Sequence, residues 1–234
     1  MLLAAGLGTR LRPLTLSMPK CMVPINGKPL LGYWLDSLRL AGIGPILLNL
    51  HYHADQVKQF VESSGHDDEV QMVYETSLLG TAGTLRANSG FFSEEPTLVI
   101  HADNFCLSNI TDFIKTHKQR PDSTEMTMMT FLTNYPEQCG IVELDTLGIV
   151  QSFHEKQSSP LGNIANGAVY VFESSVIDFI CTQEKSYLDI SLDVLPNYCG
   201  RIYTWSADGF HIDVGTKVNL EEANCYIRQL GQHE

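Results

Sequence analysis

The sequence predicts an α/β domain: a mostly parallel, mixed sheet flanked by helices, with a β-rich second half. Through the first half, short apolar runs bounded by turn residues alternate with stretches of helical spacing, the pattern of parallel strands joined by helices. After Thr133 the texture changes to closely spaced strand patterns and hairpin turns. At 234 residues with 44% hydrophobic content, the chain can bury one large core, and no repeat or low-complexity linker divides it.

The expected strands of the first half are Leu2–Ala4, Pro45–Leu50, Val70–Tyr74, Thr97–His101 and Glu125–Leu132. Between them the apolar spacing predicts helices over Leu30–Leu40, Ala54–Ser63, Thr84–Phe91 and Asn109–His117. In the second half, GIVELDTLGIVQSFHEK reads as a hairpin around Thr146–Gly148, and NGAVYVF as a further strand. Helices over Ser175–Cys181 and Asp189–Tyr198, a strand over Arg201–Trp205 and a last helix over Lys217–Leu230 complete the series. The first strand is short because the chain begins inside it, which points to residues upstream of Met1.

Composition narrows the class of partner. The formal charge of −12 disfavours nucleic acid and anionic membranes. No apolar run approaches the roughly 18 residues of a membrane span, and the opening MLLAAG lacks the marks of a secretory signal, so a cytoplasmic location is expected. The six cysteines, Cys21, Cys106, Cys139, Cys181, Cys199 and Cys225, form no C-x-x-C pair and read as free, mostly buried thiols.

The chemistry is concentrated near the start, in LAAGLGTRLRPLTLSMPK (Leu3–Lys20). A dinucleotide turn needs a third glycine where Leu11 stands, and a P-loop needs a Lys-Ser or Lys-Thr after its last glycine; both readings fail. What remains is a strand end, a loop with Gly6 and Gly8, the hydroxyl of Thr9, the planar donor fork of Arg10, and Lys20 fixed behind Pro19. Glycines let backbone N–H groups approach phosphate oxygens, and Arg and Lys supply charge. The set is suited to a triphosphate; the competing reading is a surface turn with two solvated cations.

This string resembles the signature of the sugar-1-phosphate nucleotidyltransferases, G-x-G-x-R-L-x-P-x-T-x-x-x-P-K. It matches at Gly6, Gly8, Arg10, Leu11, Pro13, Thr15, Pro19 and Lys20. The resemblance implies a single Rossmann-like (GT-A-like) nucleotidyltransferase domain over 1–234, with 1–120 as the nucleotide-binding half and 121–234 as the sugar-phosphate-binding half. It implies that Leu3, Ala4, Ala5, Gly6, Gly8 and Thr9 wrap the nucleotide, Arg10 neutralises the leaving pyrophosphate and Lys20 contacts the reacting phosphates. Arg12 reads as a helper or a solvated side chain.

Further motifs follow in the family's order. ETSLLGTAGTL resembles the base-recognition loop, assigning the base to Gly80, Thr81, Ala82 and Gly83, with Glu75 as a further candidate. Taken alone, GTAG reads first as a helix N-terminus. LVIHADNF ends a buried strand at Asp103, and FHIDVGT carries Asp213; the family's counterparts hold Mg²⁺, and two carboxylates plus phosphate oxygens suit that ion. Ala102 replaces the family's glycine before Asp103, and His211 reads as structural. FHEKQ resembles F-x-E-K-P, implying that Glu155 binds sugar hydroxyls and Lys156 the sugar phosphate, with Gln157 in place of proline. NGAVYVF resembles N-A-G-I-Y-V-F, implying Asn166 as a sugar contact, with Gly167 and Ala168 in reversed order.

The implied reaction is transfer of a nucleotidyl group from a nucleoside triphosphate to a sugar 1-phosphate, releasing pyrophosphate and forming a nucleotide sugar for cell-surface polysaccharide synthesis. LLGTAGTL is most like the loop of mannose-1-phosphate and heptose-1-phosphate guanylyltransferases, which favours GTP. Uridylyl or thymidylyl transfer to glucose- or N-acetylmuramate-type sugar 1-phosphates is the alternative, and so is a non-catalytic nucleotide-sugar-binding subunit. A glycosyltransferase would carry a D-x-D motif that HADNF lacks. Partners are the small-molecule substrates, with a homo-oligomer left open.

Overall fold

The computed structural model describes residues 1–231. In the first half, the chain forms β1 (Leu2–Leu3), β2 (Pro24–Ile25), β3 (Lys28–Pro29), α1 (Leu30–Leu40), β4 (Ile46–Leu50), α2 (Ala54–Ser63) and β5 (Val70–Tyr74). Next come α3 (Thr81–Ala87), β6 (Thr97–His101), β7 (Asn104–Cys106), α4 (Ile110–Lys118) and β8 (Met126–Leu132). The remainder holds β9 (Gly140–Leu144), β10 (Val150–Glu155), β11 (Ile164–Phe172), α5 (Ser174–Cys181), β12 (Ile202–Ser206), β13 (His211–Asp213) and α6 (Lys217–Leu230). Among the described residues no helix is long and apolar enough to cross a membrane.

The chain divides into two compact units that interleave along the sequence. One comprises Met1–Leu78, His101–Ile110 and the segment from Gly209 onward; the other comprises Leu79–Ile100 and Thr111–Asp208. Both combine sheet and helix, giving the expected α/β class with a mixed sheet.

In the first unit β1, β4 and β5 are parallel, with Leu3 opposite Asn49 and Leu50 opposite Tyr74. All five residues of β4 (ILLNL) are buried, as a near-continuous apolar parallel strand requires. Helix α1 buries Leu30, Leu31, Trp34, Leu35 and Leu38, one stripe at helical spacing, and Trp34 Nε1 donates to the Asn104 carbonyl at 2.8 Å. A separate core gathers Leu11, Val23, Ile25, Leu30, Phe105, Val214 and Ala223, with Leu14 and Met18 packed against it. Leu11 and Leu14 therefore anchor the opening motif, while Leu7 and Leu16 stay exposed and Thr15 and Lys20 are buried.

The short antiparallel pair β13–β7 places residues distant in sequence side by side. His211 faces Cys106, Ile212 faces Phe105 and Asp213 faces Asn104, so Asp213 arrives beside Asp103. The Thr216 hydroxyl caps α6 by accepting from the Asn219 N–H at 3.2 Å, and the Asn219 amide donates to the Asp213 carbonyl at 2.7 Å. The carboxylate thus sits on a strand end braced by a capped helix.

In the second unit β11 pairs antiparallel with β6, β8 and β9, β9 and β10 form the expected hairpin, and β12 runs parallel to β8. Two expected helices differ. That over Thr84–Phe91 begins instead at Thr81 and ends at Ala87, followed by a 3₁₀ turn over Ser89–Phe91, because Gly80 (φ +82°) releases the chain into helix three residues early. That over Asp189–Tyr198 is a π-helical turn, Ile190–Val194, capped by Asp189 and followed by a 3₁₀ turn, Leu195–Tyr198. Pro196 has no N–H to continue a regular helix.

His117 in this unit has a side chain 3% exposed and contacts the Thr127 hydroxyl at 2.8 Å and Glu173 at 3.0 Å. Burial and the Arg120 charge lower its pKa from 6.5 to about 4, against the pull of Glu173. The unfolded chain takes up this proton near the ordinary value and the folded chain does not, so stability present above pH 6.5 is lost as pH falls toward 4. The loss amounts to at most about 3 kcal/mol. His117→Gln should flatten urea-melt stability across that window; an unchanged slope would contradict the assignment.

Candidate active site

The motif Leu3–Lys20 leaves β1 and crosses the surface as a loop with three short 3₁₀ turns, Thr9–Leu11, Leu14–Leu16 and Lys20–Met22. Its matched residues separate by what they touch. Leu11 is in the core, and the Thr15 hydroxyl, itself buried, donates to the Gly8 carbonyl at 2.7 Å. Gly8 has φ +60°, and a Cβ there would lie 3.0 Å from both Lys20 Cβ and Thr15 Cγ2. These residues shape the loop, while Gly6, Leu7, Thr9, Arg10 and Arg12 are exposed.

Four charged side chains converge in the first unit. Lys20 Nζ lies 2.6 Å from Asp103 Oδ2 and 3.0 Å from Asp213 Oδ1, and Arg10 Nη2 lies 3.3 Å from Asp213 Oδ2. The Lys20 side chain is only 6% exposed. Burial alone would lower its pKa, but the two carboxylates outweigh burial and hold it above the ordinary value. Asp103 is held below the usual carboxylate range: burial works against this, and Lys20, with His101, overcomes it. The Lys20 ammonium and the Asp103 carboxylate are thus both charged at neutral pH.

Gly215 makes room for this arrangement, since a Cβ there would fall 2.6 Å from Arg10 Nη2. Among the described residues no group of three or more His, Cys, Asp or Glu forms a metal cage. Two carboxylates aimed at one cationic point nevertheless fit a hard divalent ion that keeps water and phosphate oxygens as its other ligands. Neighbouring Cys21 is buried, and burial followed by the Asp103 charge raises its thiol pKa to about 12, so it stays protonated. All six cysteines are free, but only Cys21 and Cys106 are buried, fewer than expected.

Glu75 lies apart from this cluster. It is buried at the end of β5, where its Oε1 accepts from the Asn49 amide at 2.9 Å, and Asn49 Oδ1 accepts from the Ala4 N–H at 2.7 Å. Asn49 was not visible as a site residue; its one signal is a polar side chain inside the apolar run ILLNL. His211, in β13, is buried as a structural histidine would be.

In the second unit, Gly80–Gly83 form the start of α3. The N–H groups of Ala82 and Gly83 both donate to the Leu188 carbonyl, at 3.0 and 3.1 Å. A Cβ on Gly80 would lie 2.2 Å from that same oxygen. The small residues here admit the backbone of Leu188, a requirement that does not show locally in the sequence. The Thr81 hydroxyl donates to Asp189 Oδ2 at 3.1 Å and accepts from the Ile190 N–H at 2.7 Å.

Glu155 and Lys156 are adjacent in space as in sequence, with Lys156 Nζ 3.1 Å from Glu155 Oε1. A Cβ at Gly140 would meet Glu155 Oε2 at 2.8 Å, so that glycine clears the carboxylate. The Asn166 amide donates to the hydroxyl of buried Tyr170 at 2.7 Å, and its carbonyl accepts from the Ala168 N–H at 2.9 Å. Burial raises the Tyr170 phenol, with Asp189 and Glu155 adding to the shift. Asp189 was not legible in the sequence because its contact with Thr81 bridges separate segments, and Tyr170 because its bond to Asn166 forms where β11 departs from regular register.

Ala168 adopts φ +53° at the irregularity in β11. The reversed Gly167–Ala168 order thus leaves the residue with a Cβ in the left-handed region. Ala168→Gly should stabilise the chain by about 1 kcal/mol in urea titration; a destabilised variant would show that the backbone here is not strained.

Comparison with known proteins gives the same picture at the level of sequence and fold. The chain is 30% identical over 241 residues to a mannose-1-phosphate guanylyltransferase catalytic subunit beta of Drosophila melanogaster, covering 100% of this chain and 64% of the relative. It is 30% identical over 240 residues to mannose-1-phosphate guanyltransferase beta-A of Xenopus laevis, covering 99% of this chain and 65% of the relative. The chain therefore spans just under two-thirds of these relatives' length. HddC from Yersinia pseudotuberculosis, solved in complex with GMP-PN, aligns with a TM-score of 0.80 and 25% identity over 97% of both chains. A UDP-glucose pyrophosphorylase solved with UDP-glucose shares the fold, with a TM-score of 0.82 and 20% identity over 97% of both chains. Residues 1–229 match the family described as nucleotidyl transferase, and by that match, with its phosphate-type loop beside two converging aspartates, the chain belongs to the nucleotidyl transferase family.

Proposed function

We propose that this protein transfers a guanylyl group from GTP to a mannose- or heptose-type sugar 1-phosphate, releasing pyrophosphate and forming a GDP-sugar. The observation that carries the reading is Lys20 held between Asp103 and Asp213, with Arg10 on the adjoining glycine loop. The guanylyl preference rests on the names of the relatives and on the GMP-PN complex of HddC.

A sugar-phosphate oxygen attacks the α-phosphorus in line; the new P–O bond forms as the bond to the β-phosphate bridging oxygen breaks, and pyrophosphate leaves. The nucleophile is already anionic near neutral pH, so no general base is required, and catalysis consists of positioning and charge neutralisation. The loop from Leu3 through Thr9 wraps the triphosphate, Arg10 balances charge on the departing pyrophosphate, and Lys20 turns from the carboxylates to the reacting phosphates. Asp103 and Asp213 would hold Mg²⁺, which supplies charge neutralisation on the phosphate oxygens. Gly80–Gly83 are assigned to the base, Glu155 and Asn166 to sugar hydroxyls and Lys156 to the sugar phosphate. The whole chain then acts as one nucleotidyltransferase domain.

The test is pyrophosphate release over a grid of four nucleoside triphosphates and several sugar 1-phosphates with Mg²⁺. GTP with mannose 1-phosphate or a heptose 1-phosphate should be the best pair. Preference for UTP or dTTP with glucose 1-phosphate would replace the base and sugar assignment, and binding without release from any pair would favour a regulatory subunit.

A further inference from the structure

The glycine loop is tied at both ends to one short stretch of chain, NLHYHADQ (Asn49–Gln56), which ends β4 and starts α2. At the loop's entry, Asn49, 2% exposed, accepts the Ala4 N–H at 2.7 Å and is itself held by the Glu75 carboxylate at 2.9 Å. His51 Nδ1 lies 2.8 Å from the Glu75 carbonyl, tying the same strand ends together. At the loop's exit, the Tyr52 hydroxyl donates to the Leu16 carbonyl at 2.9 Å, His53 Nε2 reaches the same oxygen at 3.1 Å, and the Gln56 amide donates to the Ser17 carbonyl at 2.8 Å. The Tyr52 and His53 rings pack with centroids 4.0 Å apart, and His53 adopts φ +51°, which turns the chain into α2.

We infer that Asn49–Gln56 is a positioning clamp for the triphosphate loop, with Asn49 fixing its entry and Tyr52, His53 and Gln56 fixing its exit. Glycines and exposed residues between the two ends have many accessible conformations, and ordering them opposes nucleotide binding. Holding Ala4, Leu16 and Ser17 in place, together with the internal Thr15–Gly8 bond, removes part of that cost before the nucleotide arrives. The exit contacts all end on loop backbone and lie at the surface, so they contribute to loop order far more than to the buried core. Glu75 accordingly acts through Asn49 on the loop rather than on the base.

The inference rests on reading the loop as the triphosphate site, and the test separates the two. The triple variant Tyr52→Phe, His53→Asn and Gln56→Ala removes the exit contacts, keeps a residue that tolerates positive φ at position 53, and leaves Asn49 intact. It should weaken nucleotide binding and raise KM for the triphosphate by about tenfold, with KM for the sugar 1-phosphate within about twofold of wild type. Amide hydrogen exchange over residues 6–18 should speed up in the free protein and return to wild-type protection with nucleotide bound, while the melting temperature stays within about 2 °C. Tyr52→Phe alone should fall between wild type and the triple variant. Equal shifts in both KM values, or unchanged loop exchange, would overturn the clamp. Arg10→Ala, run in parallel, should lose about 10² in turnover. If it does and the triple variant matches wild type, the clamp alone is wrong; if Arg10→Ala turns over normally, the triphosphate reading and the clamp fall together.

Discussion

Lys20→Met should lower turnover by on the order of 10²–10³ while the chain still folds. Methionine keeps most of the volume of the buried side chain, so the packing around Gly8 is largely preserved. What is lost is the ammonium 2.6 Å from Asp103 and 3.0 Å from Asp213. The exposed Arg10 guanidinium remains 3.3 Å from Asp213, but Asp103 loses its ammonium partner and should titrate upward. A divalent ion would replace the lost charge between the carboxylates, so Mg²⁺ should raise the variant's melting temperature more than that of wild type. Thermal melts with and without Mg²⁺, alongside pyrophosphate release, check both parts. Turnover near wild type would remove Lys20 from the reaction centre.

Gly80→Ala should be the most destabilising single substitution considered, by about 3 kcal/mol or more. The new methyl would lie 2.2 Å from the Leu188 carbonyl oxygen, a backbone atom that cannot turn aside, at a residue whose φ is +82°. Relief requires separating α3 from Leu188, which breaks the bonds from Ala82 and Gly83 to that oxygen. For a chain of this size the melting temperature should fall by roughly 6 °C or more. A variant that melts like wild type would show that α3 and Leu188 are not held as described. Because this turn is also assigned to the base, KM for the nucleoside triphosphate should rise in whatever fraction stays folded.

The parts of the site that could be read in advance are those written contiguously. The opening motif holds its loop-shaping residues, Gly8, Leu11 and Thr15, and its cations, Arg10 and Lys20, within one string. Asp103 and Asp213 were legible as strand-end carboxylates, but their approach depends on the β7–β13 pairing, two three-residue strands too short to register as a pattern. Asn49 and Asp189 were invisible because each acts through a side-chain contact between remote segments, and Tyr170 because its bond to Asn166 depends on the irregularity in β11. The early start of α3 has the same origin: the oxygen that receives its first N–H groups belongs to Leu188, far along the chain. Local pattern set the strands and most helices, whereas the turns that carry function were set by contacts the pattern does not contain.

The most direct test of the central claim follows the α-phosphorus itself. With GTP labelled at that atom, mannose 1-phosphate and Mg²⁺, label should pass into a nucleotide sugar in step with pyrophosphate, and Asp213→Asn should slow both by on the order of 10² or more. Label that remains in GTP with every sugar 1-phosphate tried, or that appears as GMP regardless of sugar phosphate, would contradict the account.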